Sequence, residues 1–227
     1  MCGRFTREWT WEQVHAFSQP LVLEHLDQSN LEPNYNVCPT NIIDTLVMGD
    51  EGTVRIVPMR WGLIPAWWKK TLKEFKLATF NARSETVTEK ATFRSAFRRH
   101  RCIIPASGYY EWEDTPSGKQ PHYYTRRNGK LLGFAGIWDE WADPETGEII
   151  KSCAMLITEP SKFAARYHDR MPVILETSQF EDWLTAKSGV EVLQPAAEDV
   201  LQEHAVSRRV NSSRADRNDH TLIERPA

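Results

Sequence analysis

The chain has 227 residues, 41% of them hydrophobic, a length and composition that suit a single domain with a core of its own. A formal charge of −3 excludes a protein that coats nucleic acid through bulk basicity, so any such binding has to come from a local patch. No apolar run approaches the roughly 18 residues that span a bilayer, and the start lacks the charged-then-apolar order of a signal peptide, so a soluble intracellular protein is expected.

Thr10 and Gln13 have the spacing of a capping box and predict a short first helix. Ile42 to Met48 and Thr53 to Arg60 predict a hairpin about the four-residue turn Gly49-Asp50-Glu51-Gly52. Further strands are predicted over Leu77 to Arg83, Arg101 to Pro105, Gly108 to Glu113, His122 to Arg127, Leu131 to Trp138, Ile149 to Thr158 and Val206 to Val210. Turn signals stand at Pro116-Ser117-Gly118 and Asn128-Gly129. Helices are predicted over Thr88 to Arg99, Ser161 to Tyr167 and Ser178 to Lys187, the last closed by Gly189. This order is α+β: curved antiparallel sheets forming a partly closed, barrel-like core with helices on its outside. One domain is expected over residues 1–211, with residues 212–227 as a closing segment or loosely held tail.

The four cysteines, Cys2, Cys38, Cys102 and Cys153, include no C-x-x-C pair, so no metal site is expected, and Cys102 and Cys153 read as buried small hydrophobes. Cys2 differs because only Met1 precedes it. Removal of Met1 would leave a 1,2-aminothiol, with an amine pKa of about 7.7–8.0 and a thiol pKa of about 8.5. Such a group serves either an N-terminal nucleophile hydrolase or capture of an aldehyde as a Schiff base closed into a thiazolidine; the bland alternative is an incidental small second residue. Gly3 permits close approach of a ligand, Arg4 offers a fork for phosphate or carboxylate, and Phe5 can anchor the segment.

Adjacent Trp67 and Trp68 cannot both point inward along an extended segment, so at least one is expected at the surface beside Lys69 and Lys70, as a stacking platform for bases or as ordinary packing. Asn81 and Arg83 stand where an apolar strand leaves the core, as a hydrogen-bonding and a phosphate-binding candidate or as turn formers. Arg94, Arg98, Arg99 and Arg101 read either as a solvated face or as a nucleic-acid patch. Within Gly108 to Glu113, period 2 puts Tyr109, Glu111 and Glu113 on one face and Tyr110 and Trp112 on the other. A Glu among aromatics acquires a raised pKa and can move protons near neutrality, unless it simply lies on a solvated face. His168, between Tyr167 and Asp169-Arg170, is either a proton-transfer group or a structural one. Arg208 or Arg209 could reach a phosphate.

Met1 to Phe5, Trp61 to Trp68, Asn81 to Thr86, Gly108 to Trp112, His168 to Pro172 and Val206 to Val210, taken in this order, resemble the SOS response-associated peptidase (SRAP) family over nearly the whole chain. The resemblance implies one α+β domain that binds single-stranded DNA and crosslinks abasic sites through a thiazolidine on Cys2. It implies catalytic roles for Cys2, Asn81, Glu111 and His168, with Asn81 orienting the terminus, Glu111 moving protons and His168 acting in sugar-ring opening and crosslink reversal. Gly3, Arg4, Asn36, Trp67, Trp68, Arg83 and Arg208 are the DNA-binding positions it implies. Tyr35-Asn36-Val37-Cys38-Pro39 resembles a family segment that often has alanine in place of Cys38, which puts a second thiol near the site. No cofactor or metal is implied. The expected partner is single-stranded DNA with abasic sites, the expected state a monomer, and the expected location cytoplasmic, at the nucleoid in a bacterium. The competing functions are a thiol peptidase or amidase of the N-terminal nucleophile class and a non-covalent binder of single-stranded or modified DNA.

Overall fold

The computed structural model describes residues 2–24, 32–49 and 52–226. Strand β1 (Phe5–Arg7) is followed by helix α1 (Trp11–Ser18), which starts where the capping box predicts. Thr10 Oγ1 accepts from the Gln13 N–H at 3.3 Å, and the Gln13 side chain accepts from the Thr10 N–H at 2.8 Å. Next come β2 (Val22–Leu23), β3 (Asn34–Val37), β4 (Ile42–Met48), β5 (Thr53–Trp61), β6 (Asn81–Arg83), α2 (Arg94–Arg99) and β7 (Arg101–Ala106). The hairpin of β8 (Gly108–Thr115) and β9 (Gly118–Arg126) precedes β10 (Leu132–Ala142), β11 (Ile149–Thr158), β12 (Met171–Pro172) and β13 (Ile174–Leu175). Helix α3 (Phe180–Leu184) and β14 (Leu201–Ala205) complete the framework.

The architecture is α+β, a barrel-like β core with a few peripheral helices. One sheet runs β14-β9-β8-β1-β3 and a second runs β12-β11-β10-β7-β4-β5-β2, with β13 added to β10 and β6 to β11. Pairing is antiparallel except where β11 meets β5 and β6 and where β2 meets β5. Between the sheets lies a core drawn from both: Cys2, Phe5, Val37, Tyr109 and Tyr124 from one side, Met59, Trp61, Cys102, Phe134 and Cys153 from the other. Phe5 meets the ring of Trp61 edge-on at 5.1 Å and that of Phe134 at 6.2 Å, and each such pair adds about 0.5–1.5 kcal/mol beyond the area it buries. That anchor fixes the residues just before it. On the outer face of the β8–β9 sheet, Tyr35, Tyr110, Tyr123, Val210 and Leu222 form a separate cluster, so the period-2 alternation of Gly108 to Glu113 sends Tyr109 inward and Tyr110 to this second layer.

Several elements differ from the sequence expectation. The strand predicted from Leu77 begins only at Asn81, because β6 pairs with just Met155, Leu156 and Ile157 of β11, and Leu77 is 53% exposed. The helix predicted from Thr88 is confined to α2, since the preceding residues form successive turns such as Lys90 N–H to Thr86 O at 3.0 Å. Ser161 to Tyr167 contains a single 3-10 turn at Ala164–Arg166. Helix α3 is followed by Ala186 in the left-handed region at φ 56°, short of Gly189. Val206 to Val210 is not a strand but leads into a 3-10 turn, Arg208–Asn211. β14 gave little signal because it is an edge strand with one buried residue, Leu201, and so no apolar alternation. Asp50 and Glu51 of the predicted hairpin turn lie outside the described residues. The segment after Asn211 packs instead of trailing: Leu222 is 1% exposed, and the Arg217 carbonyl accepts from the Tyr35 N–H at 2.7 Å. No helix among the described residues is long and apolar enough to cross a membrane.

Candidate active site

Cys2, three residues before the anchored Phe5, is 1% exposed, and its Sγ donates to Oε1 of Glu111, which is 2% exposed, at 2.7 Å. The contact follows from sheet register. Phe5 of β1 lies opposite Tyr109 of β8, and the Tyr110 N–H donates to the Arg4 carbonyl at 3.0 Å, so the residues before β1 run alongside Glu111. Asn81 enters from the other sheet. The short parallel pairing of β6 with β11 places its Nδ2 to donate to the Cys2 carbonyl at 2.8 Å. The backbone of Cys2 is thereby held from one sheet and its thiol from the other.

Burial sets the electrostatics. Desolvation, reinforced by the Glu111 carboxylate, pushes the Cys2 thiol well above its ordinary pKa. Desolvation likewise raises the Glu111 carboxyl to about 7, against the opposing pull of the Cys2 hydrogen bond. The resting pair is therefore a neutral thiol donating to a carboxyl group that titrates near neutrality. His168 stands with Nε2 3.7 Å from Glu111 Oε2, and burial lowers its pKa. The Arg170 N–H donates to His168 Nδ1 at 3.0 Å, so the neutral ring carries its proton on Nε2, facing Glu111. Asp169 Oδ1, 3.1 Å from Nδ1, becomes an ion-pair partner only when the ring is protonated. The turn bearing His168 is fixed from behind, where the neighbouring Tyr167 stacks on His122 at 3.8 Å. His122, the cross-strand partner of Glu111, is itself held by Glu203 at 2.9 Å and Glu113 at 3.3 Å.

An open cleft of about 370 Å³ leads to this group, lined by Glu111, His168, Trp112, Lys119 and Asn211. Sequence reasoning missed Lys119 and Asn211. Lys119 lies in the half of β9 before His122 that was not predicted, although centring the hairpin on Pro116-Ser117-Gly118 pairs it with Asp114. Asn211 arrives through a contact 99 residues away in sequence, accepting from Trp112 Nε1 at 2.7 Å, and nothing local announces it.

The predicted DNA-binding residues divide. Gly3 is half-buried between Cys2 and Arg4. Arg4 Nη1 donates to Asn36 Oδ1 and to the Val210 carbonyl, both at 2.6 Å, and its guanidinium lies 5.7 Å from the Trp112 ring. Asn36 is 4% exposed and its Nδ2 donates to the Ala215 carbonyl at 2.9 Å; with both amide atoms engaged, it clasps the C-terminal segment and does not line the cleft. Cys38 is half-buried beside it, its Sγ donating to the Asn36 carbonyl at 3.2 Å. Arg208 donates to Ser117 O at 2.9 Å and Ser117 Oγ at 2.7 Å, bracing the β8–β9 hairpin tip. Arg83 is exposed and forms no ion pair among the described residues. One of the adjacent indoles is at the surface, as expected: Trp67 is 47% exposed, while Trp68 is half-buried, edge-on against Trp67 at 6.5 Å and Phe75 at 5.2 Å. Neither lines the cleft over Glu111.

A family model described as SOS response associated peptidase (SRAP) matches residues 1–213. The chain is 36% identical over 230 residues to a Bacillus subtilis protein named abasic site processing protein YoqW, covering 99% of both chains. It is 32% identical to the Xenopus tropicalis abasic site processing protein HMCES, over 83% of this chain and 65% of that one. A solved structure from Bordetella bronchiseptica superposes with a TM-score of 0.78 at 29% identity, over 91% of this chain and 100% of that one. Another from Bacteroides thetaiotaomicron, at 24% identity and a TM-score of 0.84 over 100% of both chains, has the same fold.

Proposed function

This chain belongs to the SOS response associated peptidase family, and from that membership we propose that it captures abasic sites in single-stranded DNA covalently, through a thiazolidine on Cys2 once Met1 is removed. The observation that carries the reading is the buried 2.7 Å hydrogen bond from the Cys2 thiol to Glu111, with Asn81 on the Cys2 carbonyl and His168 3.7 Å behind the carboxyl.

An abasic deoxyribose is mostly a closed hemiacetal and reacts as its open aldehyde. His168 and Glu111 would move the proton that opens the ring. The neutral α-amine attacks the aldehyde carbon to give a carbinolamine, and Glu111 in its acid form protonates the hydroxyl that leaves as water. The resulting iminium takes the Cys2 sulfur at the same carbon as the thiol proton passes to Glu111. One C–N and one C–S bond form, one water is released, and the five-membered ring holds N, Cα, Cβ, S and the former aldehyde carbon. A carboxyl titrating near 7 can serve in both directions, which suits reversal as well as formation.

The thiol's raised pKa favours this order over the hydrolase reading. A cysteine hydrolase attacks with a preformed thiolate, whereas desolvation and the adjacent carboxylate hold the Cys2 sulfur neutral in the chain that still carries Met1. Arg83, Trp67 and Trp68 would contact phosphates and bases around the lesion, with Lys119 at the cleft mouth. Gly3 leaves room beside the terminus, while Arg4, Asn36 and Arg208 act mainly by holding the C-terminal segment and hairpin that frame the cleft.

The test is incubation of purified protein with single-stranded DNA carrying one abasic site. Wild type should give a heat-stable, protease-sensitive band shift, and Cys2→Ala or N-terminally extended protein should give none. A Cys2→Ala protein that still crosslinks would sink the thiazolidine. Peptide hydrolysis without crosslinking would favour the hydrolase.

A further inference from the structure

The reaction at Cys2 makes no use of the arginines on α2. Of the four that cluster in sequence, Arg101 turns inward: it is 5% exposed, with its guanidinium 3.7 Å from the Phe97 ring and 4.0 Å from the Trp183 ring. Arg94, Arg98 and Arg99 remain exposed, with Arg94 and Arg98 one turn apart on the same side of the helix. Together with Ser95, Ala91 and Trp67 they wall a groove of about 610 Å³. The Trp67 indole is pinned by Nε1–H donating to the Ala91 carbonyl at 3.1 Å, so its orientation is set while about half of its surface stays open.

The groove's charge is uncompensated. No carboxylate lines it, and none of its three guanidinium groups forms an ion pair among the described residues, in a chain whose net charge is −3. Guanidinium forks suit phosphate oxygens, and a fixed, exposed indole suits the face of an unpaired base whatever its identity. The groove and the site are drawn from neighbouring stretches of chain: Asn81 holds Cys2, Arg83 is exposed two residues on, and Ala91 forms the groove wall.

We infer that this groove is a second nucleic-acid subsite, in which Arg94, Arg98 and Arg99 hold the phosphodiester backbone of the strand as it runs on from the bases at Trp67, away from the lesion. The inference rests on the reading of Cys2 as a single-stranded DNA site, but it concerns binding alone and is measured without the covalent step. Contacts to about three phosphates on a single strand contribute roughly 2 to the slope of log K against log salt. An acidic peptide would meet the same charge but has no planar base to offer the indole.

The experiment compares undamaged single-stranded oligonucleotides, one short and one several times longer, in equilibrium binding at a series of salt concentrations. It uses Cys2→Ala protein with and without the triple change Arg94→Gln, Arg98→Gln and Arg99→Gln. All three positions are on the surface, and circular dichroism checks that the fold is kept. The triple variant should bind the long strand about ten-fold more weakly, with a salt slope shallower by about 2, and should lose several-fold less affinity for the short strand. The corresponding triple arginine-to-lysine change should keep the slope. An unchanged slope, or equal losses on both strands, overturns the assignment. So does an acidic peptide that competes as well as an oligonucleotide of equal charge. If Cys2 proves unable to crosslink while the length-dependent loss is seen, the thiazolidine chemistry fails and the groove stands.

Discussion

Two corners of the same core each hold fully buried thiols. At one, Cys2 faces Glu111 at 2.7 Å and is held through its carbonyl by Asn81. At the other, Cys102 and Cys153 lie on β7 and β11, on either side of β10, opposite Gly136 and Trp138. Desolvation raises the pKa of all three. Burial alone therefore makes an inert sulfur. What separates the corners is polar chemistry: Cys2 has an acceptor able to take its proton near pH 7, whereas Cys102 stands beside Gly136, where an added Cβ would come within 2.6 Å of its Sγ. The first corner offers a donor and acceptor between which a proton could pass, as the proposed chemistry needs, and the second is close-packed.

Removing the acceptor should erase the difference most completely. Glu111→Gln keeps the shape of the site but cannot take the thiol proton, and it should slow crosslinking by about 10²- to 10⁴-fold in a single-turnover gel assay. The same change should alter stability with pH. The folded carboxyl titrates at about 7, above its ordinary 4.5, so the native state binds the extra proton. The contribution of Glu111 to stability is then fully present below about pH 4.5 and is lost as pH rises toward 7 and beyond, by about 3 kcal/mol. Glu111→Gln has no such decline and should unfold later than wild type at pH 8 but not at pH 4. Thermal melts at the two pH values check this, and a wild-type advantage at pH 8 contradicts the raised pKa.

Asn81→Ala should act more mildly, by about ten-fold on the crosslinking rate, because it frees the Cys2 carbonyl without touching the thiol. At the packing corner the effects should fall on stability alone. Gly136→Ala drives a methyl against Cys102 and should cost about 1–3 kcal/mol in denaturant unfolding, and Cys102→Ala should recover part of that loss in the double variant. Cys102→Ala by itself should cost about 1 kcal/mol and leave the crosslinking rate at the wild-type value. A rate that falls with Cys102→Ala would mean that the two corners are coupled.

Much of the active corner was legible from local pattern. The capping box fixed the start of α1, and the alternation through Gly108 to Glu113 put Tyr109 and Glu111 on the face that meets Cys2. That one of Trp67 and Trp68 is exposed was also expected, but the reason is a turn closed by the Trp68 N–H to the Pro65 carbonyl and not the alternation of an extended segment. Arginine roles were far less legible. Arg4 donates to the Val210 carbonyl, Arg101 is stacked between aromatic rings, and Arg208 braces a hairpin, while Arg94, Arg98 and Arg99 stay open to a groove.

The sequence by itself determined that a thiol next to Met1 is followed by an aromatic residue, and that Glu111 shares a strand face with Tyr109. These are matters of covalent order and of a two-residue period, which any extended segment must obey. Only the tertiary structure decided that Glu111 meets Cys2 across 109 positions, that His168 stands behind it with its proton on Nε2, and that Lys119 and Asn211 border the approach. Those relations depend on sheet register and on which distant carbonyls a guanidinium finds. The pKa of Glu111 depends on them too, because desolvation is a property of everything packed around a group and not of its neighbours in the chain.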